Sequence, residues 1–282
     1  MRTPSTTGCA SPPEAATSWQ PLTPTGGQVP RTSPGRDRPV AVITGGSGAI
    51  GTALAHRLDE AGWSVVCIDL GADQGPDDPT FLACDITDDA AVRSTFAAVE
   101  QRYGRLDLLV NNAGISAIGR FTDHDVTTHA KVMAVNYLGA VSCTQAALPA
   151  LTRSHGRVVV TSSVTGFAPV LGRPAYVAAK HAVTGLFTAL RPELAASGVG
   201  VTLVHPTFVT GGMSEAAGRA DGTERSTTGG EITPDDVARA IVDAVTRGTD
   251  QVFVGRSARA AWHLWRLAPR TYVRTMTRRL SQ

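Results

Sequence analysis

Seven short apolar runs recur along this chain, and helical patterns alternate with them. The runs are PVAVIT from Pro39, SVVCID, TFLACD, LDLLVNNAG, RVVVTSS, VGVTLVHP and QVFVG. Nearly all are continuous in their apolar character. A strand with one wet face alternates apolar and polar residues, so an unbroken run needs cover on both faces. Helical periodicity falls between the runs at 50–61, 88–102, 123–151, 174–196 and 234–246. Strand alternating with helix predicts an α/β fold, a doubly wound parallel sheet of about seven strands with helices on both faces. With 282 residues, 42% of them hydrophobic, the chain can bury one large core.

The texture of the chain divides it into three parts. Residues 1–38 hold seven Pro, four Gly and eleven Ser or Thr without apolar periodicity, and predict a disordered tail. Residues 39–255 carry the strand and helix pattern and predict one domain. Residues 256–282 hold seven Arg and no acid. A net charge of +2 is too small to point to nucleic acid. The four cysteines form no C-x-x-C pair and have no His at ligand spacing, so neither a metal site nor a disulfide framework is expected. No apolar run reaches membrane-spanning length, and the first residues lack the apolar centre of a secretory signal. The expectation is a cytoplasmic protein that assembles as a homo-oligomer.

The first run leads straight into TGGSGAIG, residues 44–51, and then into a helix. Gly45 is read as the tight turn, Gly46 and Gly48 as backbone that approaches a pyrophosphate, and Gly51 as the contact of helix on sheet. The helix N-terminus offers free N–H groups and partial positive charge to phosphate. This is the context expected of a Rossmann-like nucleotide site. The second run ends at Asp69, eighteen residues after Gly51. A carboxylate there accepts both hydroxyls of an adenosine ribose and repels a 2′-phosphate. No Arg or Lys lies in the Gly-rich loop or in the four residues after Asp69, which favours NAD, with NADP as the alternative. Asp85 ends the third run and either meets the adenine edge or caps the helix that starts near Asp88.

Only two lysines occur among 26 basic residues, Lys131 and Lys180, and Lys180 lies one helical turn after Tyr176 in YVAAK. A free phenol titrates near 10 and is a poor proton shuttle at neutrality. An ammonium roughly 4 Å away stabilises phenolate by about 4 kcal/mol at an effective dielectric of about 20. The expectation is therefore a Tyr176 pKa lowered by Lys180. Together TGGSGAIG, NNAG at 111–114, SSVTG at 162–166 and YVAAK at 176–180 resemble the short-chain dehydrogenase/reductase family, in its compact single-domain branch. The resemblance spans roughly 39–255, and Ser163 stands thirteen residues before Tyr176.

That resemblance implies an NAD(P)-dependent oxidoreductase that interconverts a secondary alcohol and a ketone on an apolar small molecule. It implies a catalytic set of Ser163, Tyr176, Lys180 and Asn136. Ser163 would polarise the substrate oxygen, Tyr176 would exchange its proton, and Asn136 would hold a water linking Lys180 to solvent. Ser162 is the neighbour that points the other way along the strand. Cofactor contacts would come from Gly45, Ser47, Gly48, Ala49, Ile50, Gly51, Asp69, Asp85, Ile86, Asn112, Ala113, Gly114, Tyr176, Lys180, Pro206 and Val209.

Two positions depart from the family pattern. Ala49 stands where the compact branch has Gly, a spacing shared with sugar-nucleotide epimerases. Thr207 follows Pro206 where Gly is usual, so the loop must start extended, because Thr takes positive φ at a cost. Loop 207–232 reads as a substrate lid. Phe208, Val209 and Met213 are expected to line a pocket with Phe167, Val170 and Leu171. An epimerase or dehydratase, or a non-enzymatic dinucleotide-binding scaffold, are the alternative readings. In 256–282 one apolar stripe comprises Ala261, Leu264, Trp265 and Ala268, and a second Val273, Met276 and Leu280. Two basic amphipathic helices are expected there, against an anionic membrane, a second subunit or the chain's own core.

Overall fold

The computed structural model describes residues 38–70, 80–211 and 230–280. All but the last residue of the predicted tail 1–38 lies outside the described residues, as do Met213 and the centre of loop 207–232. Seven strands pair in parallel: β1 (Val40–Thr44), β2 (Ser64–Asp69), β3 (Phe81–Ala83), β4 (Leu108–Asn111), β5 (Arg157–Thr161), β6 (Gly200–Pro206) and β7 (Gln251–Val254). Their order in the sheet is β3-β2-β1-β4-β5-β6-β7.

The continuous apolar runs are explained by what covers each face. Along β1, Val40 and Val42 point into a core shared with α2 (Asp89–Tyr103), α4 (Gly139–Ser154) and α5 (Pro174–Ala195). Ala41 and Ile43 point the opposite way, towards α1 (Ala49–Glu60) and α6 (Pro234–Arg247). Each fully buried Val, Leu or Ile contributes about 1.5–3 kcal/mol relative to exposure, and a polar residue on either face needs a hydrogen-bond partner, as Thr44 and His205 have.

Local signals fix the helix ends. Asp88 accepts from the N–H groups of Ala90 and Ala91 at the start of α2, and Gly104 ends it at φ +71°. Asp85 is thus not the cap. Its carboxylate instead accepts from the Thr87 N–H (2.8 Å) and hydroxyl (2.7 Å). Thr233 and Asp236 form a reciprocal capping box on α6. In contrast, no side chain caps α1.

The helix expected over 123–151 is broken in two. Helix α3 (Val126–Met133) passes into a π turn over Ala134–Leu138 before α4 begins. Asn136 sits in that turn and donates from Nδ2 to the carbonyls of Val132 (2.9 Å) and Ile115 (2.8 Å). The side chain takes over a backbone partner, and the ladder admits one extra residue.

Strand order reverses between β1 and β4, and a stitch of hydrogen bonds holds the two strand ends there. The Thr44 hydroxyl oxygen accepts from the N–H groups of Asn112 and Ala113, both at 3.1 Å. Asn112 Nδ2 donates to the carbonyls of Thr44 and Gly45, both at 3.2 Å. Ligands of doubly wound sheets bind outside the strand ends at such a reversal.

Two helices follow β7, α7 (Arg256–Leu267) and α8 (Pro269–Leu280), with the break at Pro269. Their inner face covers this chain's own domain. Trp262 packs edge-on to Phe167 at 5.1 Å between ring centres and lies 5.2 Å from Phe253. The Tyr272 hydroxyl donates to the Pro169 carbonyl (3.2 Å), and Met276 is buried.

Candidate active site

The strand ends and the two last helices enclose a cavity of about 380 Å³. Its wall includes Ile50 and Asn112 from the nucleotide end, Ser163, Tyr176 and Lys180 from β5 and α5, and Pro206, Phe208 and Val209 after β6. Leu264, Tyr272 and Met276 roof it. Val170 lines it as well, whereas Phe167 is buried in the aromatic cluster and Leu171 is 47% exposed.

Residues 176 and 180 share the inner face of α5, whose entry is fixed by Pro174 at its first turn. Tyr176 is 9% exposed and lines the cavity together with Ser163. The Ser163 hydroxyl oxygen also accepts from the Thr165 N–H at 3.2 Å. Ser162 engages the Thr184 hydroxyl at 2.7 Å. Lys180 is 3% exposed and donates from Nζ to the Thr161 carbonyl at 2.8 Å.

The electrostatics run against the expectation for the phenol. Burial pushes the Tyr176 pKa up to about 12, while the charge of Arg173 and the neighbouring Ser163 hydroxyl pull it down. Burial also pushes Lys180 down to about 8. Lys180 Nζ lies 5.6 Å from the centre of the Tyr176 ring and is engaged by Thr161, so in the chain alone desolvation outweighs attraction. Asn136 is buried between two carbonyls, and its Oδ1 receives no hydrogen bond from the described residues.

At the nucleotide end, Gly45 adopts φ +70°, and a Cβ there would lie 2.8 Å from Ala113 Cα. At Gly46 a Cβ would overlap Cys67 of β2 at 2.4 Å, so close packing on the sheet also requires this glycine. At Gly51 a Cβ would stand 2.2 Å from the Gly45 carbonyl oxygen, whereas at Gly48 its nearest neighbour would be 3.4 Å away. The side chain of Ala49 is exposed, so the departure from Gly disturbs no packing. Asp69 ends β2 and accepts from the Ser47 N–H (3.0 Å), the Ser47 hydroxyl and the Leu70 N–H (2.8 Å).

Asp85 is exposed at the end of β3, while the side chain of Ile86 is buried where a Cβ on Gly139 would meet it at 2.6 Å. Neither lines the cavity; Ile86 keeps only its backbone for a ligand. Gly114 follows Ala113 beyond β4. Thr207 keeps negative φ and donates its N–H to the Val254 carbonyl at 3.2 Å, the extended start that a non-glycine residue requires. Val209 bridges to Ile232, so the two ends of loop 207–232 are tied together.

Three features were missed in the sequence. Arg173 lies over the Phe208 ring at 5.6 Å and lines the cavity; its place one turn before Tyr176 was the available signal. His205 is wholly buried, with Nδ1 3.0 Å from the Ser163 carbonyl and Nε2 3.1 Å from Gln251 Nε2. A carbonyl only accepts, so Nδ1 carries the proton and Nε2 accepts. Trp262 and Tyr272 were also overlooked, because their partners are distant in sequence.

The family model described as "short chain dehydrogenase" matches residues 39–222. A "Dehydrogenase/reductase SDR family protein 7-like" from Anopheles gambiae is 34% identical over 261 residues, which is 85% of this chain and 82% of that protein. A "Dehydrogenase/reductase SDR family member 7B" from Danio rerio is 33% identical over 271 residues, 88% of each. Among solved structures, a short-chain dehydrogenase from Burkholderia cenocepacia superposes with a TM-score of 0.73 at 23% identity, covering 86% of this chain and 98% of that one. One from Burkholderia phymatum gives 0.70 at 24%, covering 81% and 92%. With its doubly wound sheet and its matched segment of more than half its length, the chain belongs to the short-chain dehydrogenase/reductase family of oxidoreductases.

Proposed function

We propose that the chain interconverts a secondary alcohol and a ketone on an apolar small molecule, with NAD as the preferred cofactor. The observation that carries this reading is that Ser163, Tyr176 and Lys180 share one cavity wall with Ile50 from the uncapped first turn of α1.

A nicotinamide dinucleotide fits the residues present. The uncapped first turn of α1 leaves backbone N–H groups for phosphate, and Gly48 leaves room for it. Gly45, Ser47, Gly48, Ala49, Ile50, Gly51 and Asp69 would hold the adenosine and phosphates. Asn112, Ala113, Gly114, Tyr176, Lys180, Pro206 and Val209 would hold the other half. The cofactor supplies the hydride acceptor or donor when bound.

The chain's own residues supply orientation and protons. Ser163 donates a hydrogen bond to the substrate oxygen. Tyr176, with a pKa near 12, stays protonated at neutral pH and is poised to give its proton to a ketone oxygen. In the opposite direction Lys180, still largely cationic at pH 7, favours the phenolate. Asn136, whose buried Oδ1 has no partner among the described residues, would accept from a water that continues the proton path. Val170, Phe208, Leu264 and Met276 favour an apolar substrate.

The solved relatives were crystallised one with NADP and one with NAD, so the fold admits both. Asp69 supports NAD, since a 2′-phosphate would meet its carboxylate. Asp69→Ser is expected to shift the NADP/NAD ratio of kcat/KM towards NADP by at least about tenfold, since about 1.4 kcal/mol of relieved repulsion is enough. An unchanged ratio contradicts the assignment. Cytoplasmic residence and assembly as a homo-oligomer belong to the same reading. That Cys67, Cys84 and Cys143 form no disulfide supports the first, and exposed Phe121, Val126 and Leu138 the second.

Oxidation of NADH and NADPH by the intact protein with a panel of apolar ketones, followed by absorbance, tests the proposal. Turnover with at least one ketone, faster with NADH, is expected. Binding of dinucleotide without turnover of any ketone or alcohol would favour the scaffold reading instead.

A further inference from the structure

Helices α7 and α8 each divide into two faces. Ala258, Trp262, Tyr272 and Met276 turn inward onto the domain. Arg259 and Arg266 on α7, and Arg270, Arg274 and Arg278 on α8, are exposed. On α8 the three arginines recur every four residues, opposite the inward pair Tyr272 and Met276. Neither helix contains an acid. At the corner between them, Leu267 is 83% exposed and Val273 39%. The inner face is occupied by the chain's own cavity, so the outer face is a basic surface with two apolar residues.

We infer that this outer face docks on an anionic lipid surface. Arginine heads suit anionic headgroups, and their stems together with Leu267 and Val273 suit the headgroup boundary. A second copy of the chain is a poor occupant, because an isologous contact sets the same arginines against one another. A nucleic acid would use the arginines, but gives the exposed Leu267 no apolar partner. The docked face is the back of the cavity roof, which sets the site next to the membrane. The inference does not depend on the catalytic reading.

Cosedimentation of the full chain with phosphatidylcholine vesicles, with and without phosphatidylglycerol, tests it. The intact protein is expected to bind only the anionic vesicles, and to be released by salt. Each arginine near such a surface changes partition by about fivefold, so Arg259→Gln/Arg270→Gln/Arg274→Gln should weaken binding by about a hundredfold. Its melting temperature and its dinucleotide affinity should stay as in the intact protein. Leu267→Asp should weaken anionic-vesicle binding while leaving the fold unchanged. Failure of the intact chain to bind, equal binding to neutral vesicles, undiminished binding by the triple variant, or tighter binding to duplex DNA than to anionic vesicles would each overturn the inference.

Discussion

At the scale of single residues, the site is governed by what burial does to three titratable groups. Tyr176 is pushed up, Lys180 down, and His205 down to about 4. For His205, burial outweighs its hydrogen bond to the Ser163 carbonyl, and the charge of Lys180 adds to the lowering. An unfolded histidine titrates near 6.5, so between pH 6.5 and 4 the unfolded chain binds more protons than the folded one. Stability contributed by neutral His205 is therefore full above pH 6.5 and falls as the pH drops to 4. The loss is about 3 kcal/mol across that window. Urea midpoints from pH 7 to 4 should fall more steeply for the intact chain than for His205→Gln. Parallel slopes would show that His205 titrates normally. The same substitution is expected to lower kcat more than it raises KM, because the imidazole holds the Ser163 backbone and touches no substrate.

At the scale of elements, the strands were legible because an unbroken apolar run has one physical solution, a strand covered twice. The π turn in AVNYL was not legible. No Gly or Pro lies within it, and the side chain at its centre, Asn136, bonds to the Ile115 carbonyl, twenty-one residues away, as well as to Val132. A second constraint on Gly46 was hidden in the same way: it comes from Cys67, twenty-one residues away on the neighbouring strand. Two glycines of the loop now predict opposite outcomes. Gly51→Ala sets a methyl against backbone and should cost about 2–3 kcal/mol of stability. Gly48→Ala meets nothing closer than 3.4 Å, at φ −71°, and should melt like the intact chain. Its NADH dissociation constant should nevertheless rise about tenfold or more if phosphate approaches that backbone. Calorimetric melting and NADH titration separate the two effects.

The basic helices show the limit of periodicity. Their amphipathic pattern put Leu264 and Met276 in apolar stripes, with a membrane, a second subunit or the chain's own core as the surface beneath them, and the fold puts both on the chain's own cavity. Because both roof the cavity, Leu264→Ala should raise KM for an apolar ketone by about tenfold, the worth of one or two buried methylenes, with little change in kcat. A matching rise for a small polar ketone would show that the roof acts on the site as a whole.

Over the whole molecule, one sheet presents its strand ends to three structures at once: a glycine loop, the Tyr176–Lys180 face of α5 and a roof made by the chain's last two helices. Fold and chemistry both follow from this convergence. The reversal of strand order between β1 and β4 opens the nucleotide end, and β5 carries Ser163 to meet Tyr176. The central claim is that the Tyr176 hydroxyl is the group that exchanges a proton with the substrate oxygen. Single-turnover reduction of an accepted ketone, with saturating NADH, compares the intact chain with Tyr176→Phe at equal cofactor occupancy. The account predicts a rate lower by about 10²–10⁴-fold in the variant, with NADH affinity unchanged within a few fold. An undiminished rate in Tyr176→Phe would contradict it.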